Sequence, residues 1–174
     1  IAAASRLERL SYLAADAVTV LSDDLRDNVV AKLQAARGDR AGDTVHVIPN
    51  FVDTDAIVPA DRATPYRVEL GLGDGPVVLY AGNVGFSQSL DLMLAAARQL
   101  PEVTFLINGN GAARAPLETA AIDIANLRFA DYIEPSRLSE LLATGDIHVV
   151  PLRRGLGRVS VPSKTYSIMA AGRP

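Results

Sequence analysis

Four apolar segments, separated by stretches long enough to hold a helix, constrain the fold of this 174-residue chain most strongly. They cover 76–82, 103–109, 126–130 and 146–152, and they start 20 to 27 residues apart. Antiparallel strands can be joined by a tight turn, whereas parallel strands need a crossover of about this length. The segments are apolar on both faces, as buried parallel strands are. The spacing therefore predicts an α/β fold with one parallel sheet over 76–150.

The stretches between these strands have the apolar spacing of helices. The predicted helices cover 90–100, 113–124, 135–144 and 162–172. The last of them opens with Pro162 and Ser163 and ends at Gly172, which are ordinary start and stop signals. Strands and helices thus alternate through the second half of the chain.

The first 50 residues form a shorter pattern of the same kind. A predicted helix over 1–14 precedes strands at 17–22 and 44–49, and Ser22 or Asp23 is expected to cap a second helix that Gly38 ends. His46 lies in the second of these strands. We interpret it as a satisfied core histidine, and we interpret His148, in a predicted central strand, in the same way.

Residues 50–75 differ from both halves, because Pro, Asp and Gly interrupt them. This change predicts two parts joined by a linker at 51–64, with 1–50 before it and 65–174 after it. The chain starts without Met and stops just after a predicted helix, so we expect both ends to be truncations.

The composition excludes several classes of site and location. The chain has no Cys and only two His, which excludes thiolate chemistry and cysteine-based metal sites and disfavours a histidine-rich one. A net charge of −3 argues against nucleic acid as a partner. No apolar run approaches the roughly 20 residues of a membrane span, and we expect a cytoplasmic protein.

The charge is unevenly distributed along the chain. Residues 151–174 contain no acid and carry five basic side chains, so this segment is +5 and the other residues sum to −8. The five are Arg153, Arg154, Arg158, Lys164 and Arg173. A basic segment on an acidic body indicates a small anionic ligand.

Two glycine turns follow consecutive strands of the predicted sheet. Gly82-Asn83-Val84-Gly85 follows 76–82, and Gly109-Asn110-Gly111 follows 103–109. Such glycines let backbone N–H groups approach an anion, and ligands of open α/β sheets bind at the carboxyl edge of the strands. Either turn alone can be no more than a tight connection, but the pair favours a ligand cleft.

Lys164 is the sharpest candidate for an anion-binding side chain. It follows Pro162 and Ser163 at a predicted helix start, where an ammonium and a hydroxyl can hold a phosphate. The alternative is a solvated basic loop with an ordinary cap. Lys32 is the only other lysine, against fifteen arginines, so this chain seldom uses Lys on its surface.

The acidic candidates are weaker. Asp131 and Glu134 could act as an acid pair, although acids before a helix usually just favour its dipole. Glu118 is expected to face solvent. The sequence contains no Ser–His–Asp arrangement, no GxxxxGK[ST] loop and no metal-ligand spacing.

Six segments, taken in order, resemble the family 4 retaining glycosyltransferases over nearly the whole chain. They are ADAVTVLSDDLRDNV, VHVIPNFVDTD, VVLYAGNVGFSQSLDL, FLINGNGAARAPLE, NLRFADYIEPSRLSELL and VPSKTYSIMAAG. The GNxGxxQ turn and the PSK helix start are similar to a bacterial subgroup of colanic-acid and fucosamine transferases that build cell-surface polysaccharides.

The resemblance implies the GT-B fold, in which two Rossmann-like domains face each other across a cleft. Residues 1–50 would then be a remnant of the N-terminal acceptor domain, and 51–64 the interdomain linker. Residues 65–174 would be most of the C-terminal nucleotide-sugar domain, a parallel sheet with helices on both faces.

The resemblance also implies a donor-binding site. Its first glycine turn would meet the diphosphate, the loop at Tyr132 and Ile133 the base, and the PSK start the phosphates. The donor-binding residues expected are Gly82, Asn83, Gly85, Gln88, Gly109, Gly111, Tyr132, Ile133, Arg153, Ser163 and Lys164. No catalytic residue is assigned.

Four positions depart from the family pattern. Asn83 and Gln88 stand where many members carry Arg and Lys, and Val159 and Ser167 stand where many carry two glutamates. The departure at Ser167 weakens an assignment of ribose binding, and it leaves Lys164 and the nearby arginines as the source of positive charge.

The function implied is transfer of a sugar, with retention, from a nucleotide-diphosphate sugar to a cell-surface polysaccharide or lipid-linked acceptor. A UDP-sugar is the expected donor, no cofactor or metal is expected, and the fragment alone is expected to be inactive. The protein would lie in the cytoplasm or at the inner face of the membrane, with peripheral membrane contact through its N-terminal domain as an option. Two alternatives stay open: a sugar-nucleotide epimerase of GT-B architecture and a non-catalytic nucleotide-binding module.

Overall fold

The structure, a computed structural model, describes residues 2–152, 155 and 160–174. Arg153, one of the expected donor-binding residues, lies outside the described residues, as do Arg154, Arg158 and Val159. The chain divides into two compact units, one of residues 1–50 and 155–161 and the other of residues 51–154 and 162–174.

Helices and strands alternate as the sequence predicts. The helices are α1 (Ala2–Ala14), α2 (Asp23–Arg37), α3 (Pro65–Glu69), α4 (Asp91–Gln99), α5 (Arg114–Ala120), α6 (Leu138–Thr144) and α7 (Lys164–Ala170), with 3-10 helices at Gly38–Gly42 and Pro135–Arg137. The strands are β1 (Val18–Val20), β2 (Val45–Val47), β3 (Val77–Ala81), β4 (Thr104–Asn108), β5 (Leu127–Ala130) and β6 (Ile147–His148). None of these helices is both long and apolar enough to cross a membrane.

The first unit is built around α2. Strands β1 and β2 pair in parallel, with Val18 opposite Val45, and their apolar side chains pack on Val29 and Leu33 of the helix. Ser22 caps α2 by accepting a hydrogen bond from the Leu25 amide at 3.4 Å, as predicted.

His46 is not a core residue, so that prediction is wrong. Successive side chains of a strand point to opposite faces. Val45 is buried against α2, and His46, one residue later, is therefore exposed on the other face. The apolar neighbours of His46 in sequence indicated burial, but within the described residues a helix covers only one side of this two-stranded sheet.

The second unit contains the sheet that the spacing predicts. Its four strands lie in the order β5-β4-β3-β6, and every neighbouring pair is parallel. In the central pair, Leu79 lies opposite Leu106. The prediction of one parallel sheet over 76–150 is confirmed.

Helices cover both faces of this sheet. Tyr80, Phe105 and Ile107 point to the face that α4 and α5 cover. Val77, Leu79 and Leu106 alternate with them and pack under α3 and α6. The period of two along the strands thus sends apolar side chains into two separate layers, which is why the strands read as continuous apolar runs.

Strand β6 is shorter than the predicted 146–152. Only Ile147 and His148 pair with β3, after which the Val149 amide donates to the Leu79 carbonyl at 2.9 Å. Pro151 then has no N–H to continue the ladder. Among the described strands β6 stands last in the order, and on its outer side the His148 amide donates to the carbonyl of Pro174, the last residue of the sequence, at 2.8 Å. Its assignment as a central strand stays a prediction.

His148 is nevertheless a satisfied, largely buried histidine. Its Nε2 lies 2.9 Å from the carbonyl oxygen of Leu142. Burial lowers the pKa of His148 below its ordinary value, so the ring is neutral at physiological pH.

Residues 51–64 are part of the second unit. Ile57 is buried against Leu142 and Ile168, and the Ser139 hydroxyl accepts a hydrogen bond from the Val58 amide at 3.2 Å. The assignment of 1–50 to an acceptor domain and of 51–64 to a linker stays a prediction.

Candidate functional site

The two predicted glycine turns meet at the carboxyl edge of the four-stranded sheet. The Gly82 amide donates to the Asn108 carbonyl at 2.9 Å, and the Val84 amide donates to the Asn110 carbonyl at 2.9 Å. Gly109 in turn donates to the Ala130 carbonyl at 2.8 Å. The ladder of the sheet therefore continues into both turns.

The glycines of the second turn are required by this close approach. Gly109 has φ +138°, and a Cβ there would lie 1.9 Å from the Gly82 carbonyl oxygen. Gly111 has φ +154°, and its Cβ would lie 2.4 Å from the Val84 carbonyl oxygen. A tight connection explains these two residues without a ligand.

Gly82 has a different neighbour. A Cβ at this position would lie 2.9 Å from Nζ of Lys164, which begins α7. The missing side chain at Gly82 thus leaves room for the lysine ammonium at the end of β3. The structure therefore brings together the first glycine turn and the basic segment, two features that the sequence keeps 82 residues apart.

Lys164 is a half-buried cation held over an aromatic ring. Its Nζ lies 4.1 Å from the centroid of the Tyr80 ring, a distance at which the ring attracts a cation. Burial lowers the pKa of Lys164, and no carboxylate of the described residues contributes to that shift. None of the ion pairs within the described residues includes Lys164, so its ammonium has no counter-ion there.

Tyr80 supports both the lysine and the turn. Its side chain is fully buried, and its hydroxyl donates to the Asn83 carbonyl at 2.6 Å. Burial, followed by the nearby Tyr132, raises the pKa of Tyr80 to about 12. The phenol stays protonated, so it keeps donating this hydrogen bond.

A cavity of about 220 Å³ opens beside Lys164. Its walls are mostly apolar side chains of α6, α7 and the end of β6. The residues on it that carry polar groups or were predicted as donor-binding are Gly82, Asn108, Tyr132, Ile133, His148, Lys164 and Ser167. Its volume suits one ring system or a small polar group rather than a whole nucleotide sugar.

The predicted donor-binding residues therefore fall into two groups. Gly82, Tyr132, Ile133 and Lys164 line this cavity. The others do not line it, although they lie on the same two turns and helix start: Asn83, Gly85, Gln88, Gly109, Gly111 and Ser163.

Ser163 does not cap α7. Its side chain makes no capping hydrogen bond, and its backbone is already helical, with φ −59° and ψ −31°. A capping hydroxyl needs an extended backbone to reach the amides of the first turn. The interpretation of Ser163 as an ordinary helix cap is therefore wrong. Its exposed hydroxyl is available to bind a ligand.

Sequence reasoning missed Asn108, the last residue of β4. It is 1% exposed, and its Nδ2 donates to the Tyr66 hydroxyl at 2.6 Å and to the Asp131 carbonyl at 2.8 Å. One signal was available, because a polar residue ends an otherwise apolar strand. Its partners, 23 and 42 residues away, could not be seen.

Sequence reasoning also missed Arg114, which pairs with two of the three acidic candidates. It forms ion pairs with Glu118 at 2.8 Å and Asp131 at 2.5 Å. Both acids are therefore paired with one cation. An acid pair of Asp131 and Glu134 stays a prediction. No group of three His, Asp or Glu within the described residues could hold a metal ion.

Comparison with known proteins gives relatives over nearly the whole chain, although no family model matches it. The chain is 30% identical over 177 aligned residues to WcaI of Escherichia coli, named as a colanic acid biosynthesis glycosyl transferase. The alignment covers 97% of this chain and 42% of WcaI. The chain thus spans less than half the length of this relative.

Two solved structures have the same fold. Sucrose-phosphate synthase from Thermosynechococcus elongatus is similar with a TM-score of 0.78 and 23% identity, over 100% of this chain and 43% of the synthase. HepE of Anabaena, in complex with UDP-glucose, is similar with a TM-score of 0.74 and 18% identity, over 98% of this chain and 47% of HepE. The likeness to WcaI and the shared fold bear out the resemblance seen in the sequence: this chain is similar to the family 4 glycosyltransferases and has an α/β fold shared with GT-B glycosyltransferases.

Proposed function

We propose that the protein to which this chain belongs transfers a sugar, with retention, from a UDP-sugar to a saccharide or lipid-linked acceptor of the bacterial cell surface. Support comes from the glycosyl transferase WcaI and from HepE, a protein of the same fold in complex with UDP-glucose. None of the three relatives described above is an epimerase by name. The reaction would take place in the cytoplasm or at the inner face of the membrane.

One observation carries this proposal: the unpaired ammonium of Lys164 at the carboxyl edge of the sheet. A half-buried cation without a counter-ion is unfavourable in the free protein, and an anionic ligand relieves that cost. The leaving group of a nucleotide-sugar transfer is a diphosphate, whose developing charge a fixed cation stabilises. The position beside Gly82 leaves the ammonium free to meet a phosphate oxygen without a metal ion.

Backbone N–H groups can also bind the diphosphate, but fewer of them are free than the two glycine turns indicated. Gly82, Val84 and Gly109 already donate to carbonyl oxygens of the sheet edge. The amides of Asn83 and Gly85 make no hydrogen bond within the described residues. Lys164 and these two amides are therefore the groups that we expect at the diphosphate.

The test is binding of UDP and uridine to the full-length protein, measured by titration calorimetry. A charge-assisted hydrogen bond contributes roughly 1.5–3 kcal/mol, so Lys164→Ala should weaken UDP binding by roughly 10- to 150-fold. Uridine binding should barely change, because uridine has no phosphate. Lys32→Ala is the matched control, since Lys32 is the only other lysine and pairs with Glu8 at 2.7 Å.

Two results would overturn the proposal. If Lys164→Ala binds UDP as the parent does, or loses UDP and uridine equally, Lys164 does not hold the diphosphate. Incubation of the full-length protein with labelled UDP-sugars then separates the function classes. Transfer or hydrolysis of the sugar supports a transferase, isomerisation supports an epimerase, and binding without turnover supports a non-catalytic module.

A further inference from the structure

The loop after β5 is tied to the turn after β4 by three side chains. Asn108 holds the main chain of Asp131, the first residue of the loop, because its Nδ2 donates to the Asp131 carbonyl at 2.8 Å. Arg114 holds the same residue by its carboxylate, donating to Oδ1 of Asp131 at 2.5 Å. Tyr132 reaches back, and its hydroxyl donates to the Asn110 carbonyl at 3.1 Å. The loop and the second glycine turn therefore form one hydrogen-bonded unit.

Arg114 is the centre of this unit. Its side chain is 16% exposed, and Nη1 also donates to the carbonyls of Gly109 at 2.7 Å and Ala130 at 3.2 Å. One guanidinium thus joins the ends of two neighbouring strands to the loop. These three acceptors all meet Nη1, while Nε donates to Glu118 at 2.8 Å. A lysine has one ammonium on a shorter stem, so it cannot hold Glu118 and these acceptors at the same time.

The packing of α5 does not require Arg114. Leu117 and Ala113 fix this helix in the apolar layer beneath it, whereas Nε of Arg114 is occupied by Glu118, one turn later, at 2.8 Å. Glu118 first, and then Asp131, raise the pKa of Arg114 further, so the guanidinium is always charged. What Arg114 adds is the connection to Asp131 and the strand ends.

We infer that Arg114 is a positioning residue: it holds residues 131–133 against the cavity beside Lys164 and so sets the affinity of the site for a nucleoside that it does not touch. This inference rests on the proposed function, because Tyr132 and Ile133 are the residues expected at the base. A loop that is already held in place needs no ordering when the ligand binds, so less binding free energy is lost.

The experiment compares Arg114→Lys with Arg98→Lys in the full-length protein. Arg98 is a matched control, because it also donates to a main-chain carbonyl, of Ala120 at 2.9 Å, and pairs with an acid, Asp123 at 2.9 Å. It lies on α4, away from the cavity lining. Calorimetry with UDP and with uridine gives two dissociation constants for each variant, and hydrogen exchange without ligand follows the Gly109 amide, which donates to the Ala130 carbonyl at the base of the loop at 2.8 Å.

Arg114→Lys should weaken UDP and uridine by the same factor, about 2- to 30-fold, the range of indirect coupling of this kind. The ratio of the two constants should stay at the parent value, because the phosphates are held elsewhere. Exchange of the Gly109 amide should become faster, because Arg114 joins the two strand ends that this hydrogen bond connects. Asp131→Asn should act in the same direction, and it serves as the test if Arg114→Lys does not fold.

Three outcomes are decisive. A lower melting temperature with unchanged dissociation constants would make Arg114 a structural residue only. Loss of UDP affinity without loss of uridine affinity would place its effect at the phosphates, which also overturns the inference. If the parent does not bind UDP, the proposed function fails instead. The exchange measurement then still decides whether Arg114 positions the loop.

Discussion

Cations at the two edges of the four-stranded sheet differ in whether a carboxylate compensates their charge. At the amino edge, Asp146 accepts a hydrogen bond from Arg62 at 2.9 Å and from the Val77 amide at 2.8 Å, and it pairs with Arg67 at 3.5 Å. At the carboxyl edge, Lys164 lies half-buried over Tyr80 with no carboxylate of the described residues beside it. At the amino edge both arginines are thus paired with a carboxylate, whereas at the carboxyl edge Arg114 is paired and Lys164 is not.

The difference separates stability from function. Arg67 is only 5% exposed, but three carbonyls and Asp146 satisfy its guanidinium, so the buried charge is compensated. Among the described residues, the ammonium of Lys164 is stabilised only by the face of the Tyr80 ring. A cation left in this state is a candidate for binding, because a ligand can supply the missing charge.

The largest effect tests what holds the carboxyl edge together. We expect the close approach of the two backbone turns, and not charge, to hold this edge together. Gly109→Ala should then destabilise the protein by at least about 4 kcal/mol, because its Cβ would lie 1.9 Å from the Gly82 carbonyl oxygen. Gly71→Ala is the control, since Gly71 has φ +61° but nothing within 4 Å. It should lose about 1 kcal/mol. Urea unfolding measures both, and equal losses would show that the two turns can separate freely.

The next effect tests the paired edge. Asp146→Asn leaves the buried guanidinium of Arg67 without its carboxylate, so it should destabilise the protein by about 3 kcal/mol. Asp123→Asn removes a carboxylate from an exposed pair with Arg98 at 2.9 Å and should leave the unfolding midpoint almost unchanged. Thermal and urea unfolding of the two variants make the comparison. A small effect of Asp146→Asn would mean that the carbonyls alone satisfy Arg67.

The sequence was sufficient for the architecture because that information is local. Strand spacing and apolar periodicity predicted the parallel sheet, and the glycine turns followed from residues next to one another. Parallel topology then placed both turns at one edge. Lys164 could be singled out from the basic composition of its segment, although its contact with Gly82 could not be seen.

The parts that could not be predicted depend on residues distant in sequence. Arg114 is joined to Asp131 across 17 residues, and Asn108 to Tyr66 across 42, with no local pattern to announce either contact. For His46 the local pattern was misleading, because it predicted a buried residue and the side chain is exposed. An apolar run indicated burial on both faces, but only packing decides whether a second layer covers a strand.

The smallest effect has the opposite sign from those above, and it tests the unpaired edge directly. Lys164→Met should leave the free protein as stable as the parent or stabilise it by up to about 1 kcal/mol, because it removes the desolvation of a buried ammonium. The gain is limited, since Lys164 is only half-buried and solvent screens it. The Tyr80 ring also offsets part of the penalty.

The pH dependence gives this prediction its sign. Burial lowers the pKa of Lys164 in the folded state below the 10.5 of an unfolded chain, so between the two values the unfolded state binds more protons and stability rises with pH. The penalty is therefore complete below the folded pKa and disappears as pH rises toward 10.5. The advantage of Lys164→Met, measured by urea unfolding, should be largest at pH 7 and vanish near pH 10.5.

Lys32→Met, which loses an exposed pair with Glu8, should show no such gain. If Lys164→Met instead loses as much stability as Asp146→Asn, Lys164 is a structural cation and the two edges do not differ in kind.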